Sequence, residues 1–172
     1  MPEKLFTYFG NKQKIAKLVW QLFGTDNRAY AEPFAGSASI LLHSPVKHSF
    51  EVINDIDCYV ANAHRATKYF PKEVIRHLYY TRCEIDLWAR HDYLINHKKD
   101  FTQEMLREDP KFCNAELAAW WVLGMNLWIG GDFCREIVLK THCKPIRDSR
   151  GVLSKTKSES ISHIEKLRAR VS

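Results

Sequence analysis

The sequence predicts an α/β fold that begins as a parallel, doubly wound sheet and continues as a helical region. Three observations support this prediction. Helix and strand patterns alternate up to Pro71, a glycine turn follows the first strand, and helical spacing prevails afterwards. The length of 172 residues and the 45% hydrophobic content suit one compact domain, or a core with a helical insertion.

The first part of the chain predicts a strand–helix–strand–helix order after an initial helix. Apolar residues at helical spacing define the helices, Gly24 stops the first of them, and Pro71 ends the last. Short apolar runs define two strands, and we expect the first of them to be buried. The predicted elements are a helix over 11–23, a strand over 29–34, a helix over 37–43, a strand over 49–54 and a helix over 57–69.

After residue 71 the pattern is helical and then basic. Two strands are too few for a sheet of this class, so we expect a further C-terminal part or another chain to complete it. The predicted units are an N-terminal sheet portion over 1–71, a helical region over 72–157 and a helix over 158–172. Within the second unit we expect helices over 72–100, 102–108 and 114–129, a loop at Asp109-Pro110, a break at Gly130-Gly131 and a loop-like stretch over 135–157.

The charge distribution points to a polyanionic partner. Residues 135–172 contain ten Lys and Arg against four Asp and Glu, whereas the rest of the chain is balanced, so this segment carries the whole net charge of +6. A solvated basic tail is the simpler alternative. No run of about 18 apolar residues and no signal peptide is visible, which favours an intracellular protein without a membrane span. Five cysteines without a Cys-x-x-Cys pair favour reduced thiols; a zinc site at Cys134, His142 and Cys143 has poor spacing, and we expect no metal.

Three short segments carry candidate binding chemistry. In residues 32–39 a strand enters a turn at Gly36, where a ligand can approach the main chain closely. Asp55 follows the second strand, 19 positions later, where a carboxylate can accept hydrogen bonds from ribose hydroxyls. Tyr8 and Lys12 flank a glycine and offer a stacking face and a cation for a carboxylate. Each segment also has an ordinary explanation as a turn, a helix cap or a helix start.

Together these segments resemble the Dam-type family of adenine-specific DNA methyltransferases. The matching strings are Tyr8-Phe9-Gly10-Asn11-Lys12, Glu32-Pro33-Phe34-Ala35-Gly36 and Asn54-Asp55-Ile56-Asp57, in the family's order and spacing. The resemblance implies a Rossmann-like sheet that binds S-adenosylmethionine, with a helical target-recognition insertion. It places the cofactor contacts on Tyr8, Lys12, Phe34, Gly36, Ser37 and Asp55, and makes Asp57 the less favoured ribose partner.

The resemblance also implies double-stranded DNA as the partner of the helical and basic regions. We expect Trp120, Trp121 and Trp128 to be packing residues. Phosphate contacts are expected from the basic segment. The predicted DNA-binding residues are Arg135, Lys140, Lys144, Arg147, Arg150, Lys155 and Lys157.

One feature of the family is missing from residues 1–172. The family's catalytic signature is Asp-Pro-Pro-Tyr or a close variant, and no such tetrapeptide occurs. Asp109-Pro110-Lys111-Phe112 is the nearest string, but it lies inside the insertion, so we interpret it as a loop. The resemblance therefore implies an incomplete enzyme without catalytic residues of its own. Two alternatives stay open: a DNA-binding remnant that needs no cofactor, and a dinucleotide-dependent oxidoreductase, against which the single glycine argues.

Overall fold

The computed structural model describes residues 4–8, 10–79, 83–98, 101, 103–128 and 133–134. Seven helices and two strands occur in this part of the chain. In order they are α1 (Gln13–Phe23), β1 (Ala29–Glu32), α2 (Ser39–Leu42), β2 (Phe50–Ile53), α3 (Cys58–Tyr69), α4 (Pro71–Leu78), α5 (Glu84–Asn96), α6 (Gln103–Glu108) and α7 (Ala115–Leu127).

The two strands form a parallel pair, joined by α2. Ala29 pairs with Phe50 and Glu32 with Ile53. The ladder extends one residue further, because the Asn54 N–H donates to the Glu32 carbonyl at 2.9 Å. Since both strands run the same way, the turns that follow them lie side by side at one edge of the sheet.

The prediction that the first strand is buried was wrong. Within β1 and β2 only Glu32 is buried, and Phe50 and Val52 are 64% and 39% exposed. The described sheet has two strands, and no further layer covers this apolar face within the described residues. The burial that a doubly wound sheet gives its central strands is therefore absent here.

The helix after β1 begins two residues later than predicted. Gly36 and Ala38 have φ values of 50° and 52°, in the left-handed region, so the chain turns through residues 36–38 before α2 starts at Ser39. α1 also begins two residues later than predicted, at Gln13, whereas α3, α6 and α7 lie within two residues of their predicted bounds. Predicted helix 72–100 is divided into α4 and α5, and α7 ends at Leu127, where Trp128 adopts an extended backbone.

A single hydrophobic core joins the N-terminal segment to the helices. Leu5 and Phe6 are fully buried against α3, α4 and α7. Trp121 is 2% exposed in this core, as predicted for a packing residue. The core includes residues on both sides of Pro71. The predicted boundary between the first two units at residue 71 therefore stays a prediction. A second, smaller cluster packs Ala16 and Trp20 of α1 onto Ile40 of α2.

A buried amide fixes α3 against the start of α7. Asn62 is fully buried, and its side chain donates to the Asn114 carbonyl at 2.9 Å and accepts from the Asn114 N–H at 2.7 Å. The Asn114 side chain in turn caps α7 by accepting from the Leu117 N–H at 2.9 Å. The side-chain amide of buried Asn62 thus has both a donor and an acceptor partner.

Three features of the described ranges bear on function classes. None of their helices has the length and apolar character needed to cross a membrane. Their four cysteines, Cys58, Cys83, Cys113 and Cys134, are free thiols. The same ranges contain no group of three or more His, Cys, Asp or Glu side chains that could hold a metal ion. His142 and Cys143, two of the three residues of the zinc site considered from the sequence, lie outside the described residues.

Candidate cofactor-binding site

A pocket of about 290 Å³ lies at the sheet edge where β1 and β2 end. Its volume is close to the lower end of the roughly 300–1,000 Å³ typical of small-molecule sites. All six residues that the resemblance nominated line this pocket. The lining comprises Tyr8, Gly10, Asn11, Lys12, Phe34, Ala35, Gly36, Ser37, Ser39 and Asp55.

Gly36 is required at its position for two reasons. Its φ of 50° disfavours any residue with a Cβ. The ring of Tyr8 also lies directly against it, since a Cβ built on Gly36 would be 2.9 Å from Tyr8 Cδ1. The glycine therefore allows the turn after β1 and the aromatic wall of the pocket to touch.

Asp55 connects the turns that follow the two strands. Its Oδ2 accepts from the Gly36 N–H at 2.8 Å, and its Oδ1 accepts from the Asp57 N–H at 3.1 Å. A carboxylate has about four lone-pair positions, so each oxygen can accept a further hydrogen bond from a ligand. Asp57 has a different role: it caps α3 by accepting from the Tyr59 N–H at 2.8 Å.

Lys12 is already engaged with the protein. Its Nζ forms an ion pair with Glu32 Oε1 at 2.8 Å and donates to the Phe34 carbonyl. The Glu32 side chain is only 5% exposed and also accepts from the Tyr30 hydroxyl at 3.2 Å. Burial, with the Glu32 carboxylate beside it, raises the pKa of Tyr30. One of the three Lys12 donors remains for a ligand. The ion pair secures the end of β1, and Lys12 itself lines the pocket.

Sequence reasoning did not select Asn11 and Ser39, which also line the pocket. The Ser39 hydroxyl donates to Asn11 Oδ1 at 2.6 Å and lies 2.8 Å from the Ser37 hydroxyl. Asn11 stands inside a string that carried the resemblance, whereas Ser39 lies three positions after the end of one. Local sequence pattern did not predict the contact between them, because it joins residues 28 positions apart.

The wall formed by Tyr8 is supported from the helical region. Asn126 of α7 accepts from the Thr7 N–H at 3.1 Å and donates to the Leu5 carbonyl at 3.4 Å. Phe6 packs edge-on against Trp121 of the same helix, with ring centroids 4.6 Å apart. The candidate pocket and the predicted target-recognition region therefore share a physical connection through the segment before Tyr8.

The seven predicted DNA-binding residues lie outside the described residues. The chain just before them is anchored on α5 and α7. The Cys134 N–H donates to His91 Nδ1 at 3.2 Å, and the Phe133 ring lies so close to Gly124 that a Cβ there would be 2.0 Å from it.

A parallel strand pair, a glycine turn and an acidic residue at adjacent strand ends are typical of α/β domains that bind nucleoside cofactors. The sequence model of one family, D12 class N6 adenine-specific DNA methyltransferase, matches residues 8–130. The chain belongs to this family, as the resemblance to Dam-type enzymes predicted. Comparisons with curated proteins and with solved structures gave no match.

Proposed function

We propose that this chain supplies the S-adenosylmethionine-binding portion and the DNA-recognition region of an adenine N6 DNA methyltransferase. Family membership supports the reaction class. The observation that carries the cofactor assignment is the hydrogen bond between the Gly36 N–H and Asp55 at 2.8 Å, within one pocket. It brings together the two features from which a nucleoside site at strand ends is built.

The residues of the pocket fit the chemistry of this cofactor. Asp55 retains acceptor capacity for ribose hydroxyls, and the Tyr8 ring offers a face for the adenine. The remaining Lys12 donor suits the carboxylate of the methionine portion, while the Glu32 partner limits the net positive charge there. The bound cofactor supplies an electrophilic methyl group on sulfur.

We further propose that the strand pair is part of a larger, Rossmann-like layered sheet. The exposed Phe50 and Val52 side chains on one face of the strand pair support this arrangement. An apolar sheet face of this kind is normally covered by a second layer.

DNA binding is assigned to the basic segment over 135–157. Its Lys and Arg residues match the need for phosphate contacts that position a duplex. Phe133 and Cys134, which precede this segment, are anchored on α7 and α5, and α7 also supports the segment before Tyr8. The described geometry is compatible with a cofactor site and a DNA site joined through α7.

We propose that residues 1–172 alone do not transfer a methyl group. Nitrogen N6 of adenine attacks the methyl only when acceptors hold its amino hydrogens, and the Asp-Pro-Pro-Tyr string that provides them is not in this sequence. Incubation with radiolabelled S-adenosylmethionine and an adenine-containing duplex tests this proposal. We expect no incorporation above that of a no-protein control; time-dependent labelling of the DNA would refute it.

Calorimetry with S-adenosylmethionine tests the cofactor assignment. Asp55→Ala removes a pocket residue, whereas Asp57→Ala removes a helix cap two positions away and outside the pocket. We expect binding to the parent chain and to Asp57→Ala, and loss of binding in Asp55→Ala. Absence of heat with all three proteins would favour the remnant that binds DNA without a cofactor.

A further inference from the structure

We propose that His64 is a positioning residue of the cofactor pocket, which holds the Gly36–Ser37 peptide so that the Ser37 N–H is presented to an oxygen of the bound cofactor. This inference rests on the proposed function and deepens it. His64 lies on α3, outside the strings that carry the family resemblance, and does not line the pocket itself.

α3 contacts the glycine turn through His64. His64 Nε2 lies 2.8 Å from the Gly36 carbonyl oxygen. A carbonyl oxygen can only accept, so Nε2 must carry the proton and donate it. The Gly36 N–H is held at the same time by Asp55 at 2.8 Å. Both polar groups of Gly36 are therefore fixed by side chains from other elements.

The geometry of the peptide bond determines the direction of the Ser37 N–H. In a trans peptide the carbonyl of one residue and the N–H of the next lie in one plane and point in opposite directions. The Gly36 carbonyl points toward α3, so the Ser37 N–H points away from α3. Ser37 lines the pocket and His64 does not, which places this N–H on the pocket side.

The described residues leave the hydrogen-bonding capacity of the Ser37 N–H unused. Ser37 is 2% exposed, and none of the residues described in the structure accepts a hydrogen bond from its main-chain nitrogen. An N–H on the wall of a pocket that has no acceptor within the protein is available to a ligand oxygen. A carboxylate or hydroxyl oxygen of a ligand in the pocket would satisfy it.

The environment of His64 keeps the ring in the neutral form that this role uses. Burial lowers the pKa of His64, although the Gly36 carbonyl and the carboxylates of Asp55 and Glu32 act in the opposite direction. Phe6 packs against the ring with centroids 5.9 Å apart, which limits its rotation. The imidazole is thus held as a neutral donor with a fixed direction.

The test compares three variants of the full 172-residue chain. His64→Gln keeps a donor at about the position of Nε2, and His64→Leu removes it. Thr67→Val is the control, because Thr67 is buried on the same helix and its hydroxyl donates only to the Ala63 carbonyl at 2.7 Å. Calorimetry gives the Kd for S-adenosylmethionine, and two-dimensional amide NMR follows the Ser37 signal during the titration.

We expect a Kd about fivefold higher for His64→Leu, corresponding to the usual net contribution of one hydrogen bond. His64→Gln and Thr67→Val should stay within about twofold of the parent, and the Ser37 amide proton should move downfield on saturation in the parent. Rescue by Gln separates positioning from packing, because a structural role alone would not restore affinity.

Three results would overturn the proposal: unchanged affinity in His64→Leu, equal weakening in His64→Gln, or a Ser37 signal that does not move when the parent chain is saturated. The last result applies even if His64→Leu fails to fold. If the parent chain binds no S-adenosylmethionine, the proposed function itself fails, and the role of His64 fails with it.

Discussion

Substituting Gly36 with alanine should destabilise the fold and also weaken ligand binding in the pocket. An L-residue at a φ of 50° costs roughly 1–2 kcal/mol. The new Cβ would lie 2.9 Å from Tyr8 Cδ1, where carbon atoms normally keep about 3.5–4.0 Å, so the ring must move outward. With about 2 kcal/mol lost, a chain of this size should melt roughly 4–8 °C lower.

The displaced Tyr8 ring should also weaken cofactor binding, because the ring and the Gly36 turn would no longer be in contact. We expect the Kd to rise about tenfold or more, which corresponds to roughly 1.4 kcal/mol of binding free energy. Gly24→Ala is the matched control. Gly24 also has a positive φ, of 73°, but a Cβ there meets nothing within 4 Å, and the residue does not line the pocket. Differential scanning fluorimetry and calorimetry should show both variants destabilised and only Gly36→Ala impaired in binding. Unchanged affinity in Gly36→Ala, or an equal loss in Gly24→Ala, would refute the reasoning.

Three further predictions follow from the charges. Lys12→Met should lower the free energy of unfolding in urea by about 2 kcal/mol, because it leaves the buried Glu32 carboxylate without its cation. The loss is moderated because the Lys12 side chain is 32% exposed. An unchanged urea midpoint would contradict this prediction. Burial lowers the pKa of His64 and His91, so the folded state binds fewer protons than the unfolded one. Stability should therefore be fully present above about pH 6.5 and decline toward pH 5.5, with a shallower decline in His64→Gln. DNA affinity should fall with salt at a log–log slope of up to about −6 if all seven basic residues over 135–157 contact phosphates, and a flat dependence would make that charge incidental.

The sequence could predict which residues meet at the sheet edge. Parallel strands place their carboxyl ends together, so a turn at Gly36 and a carboxylate at Asp55 had to become neighbours once both strands were recognised. The helix cap at Asp57 was also foreseeable, since Asp is favoured before a first helical turn. These inferences depend on local pattern and on one general rule of sheet geometry.

Other features depend on tertiary placement, which local pattern does not encode. The contact of His64 with the Gly36 carbonyl requires α3 to cross the turn at one register, 28 residues along the chain. The pairing of Lys12 with Glu32 likewise depends on how α1 meets the end of β1. The later start of α2 reflects the left-handed Ala38, a conformation that alanine rarely adopts and that composition does not signal.

Equilibrium dialysis of the 172-residue chain against tritiated S-adenosylmethionine, with unlabelled competitors, tests the central claim most directly. We predict retention of one ligand per chain, displaced by S-adenosylhomocysteine and unaffected by NAD. No retention, or displacement by NAD instead, would contradict the assignment of the pocket between the Gly36 turn and Asp55 to this cofactor.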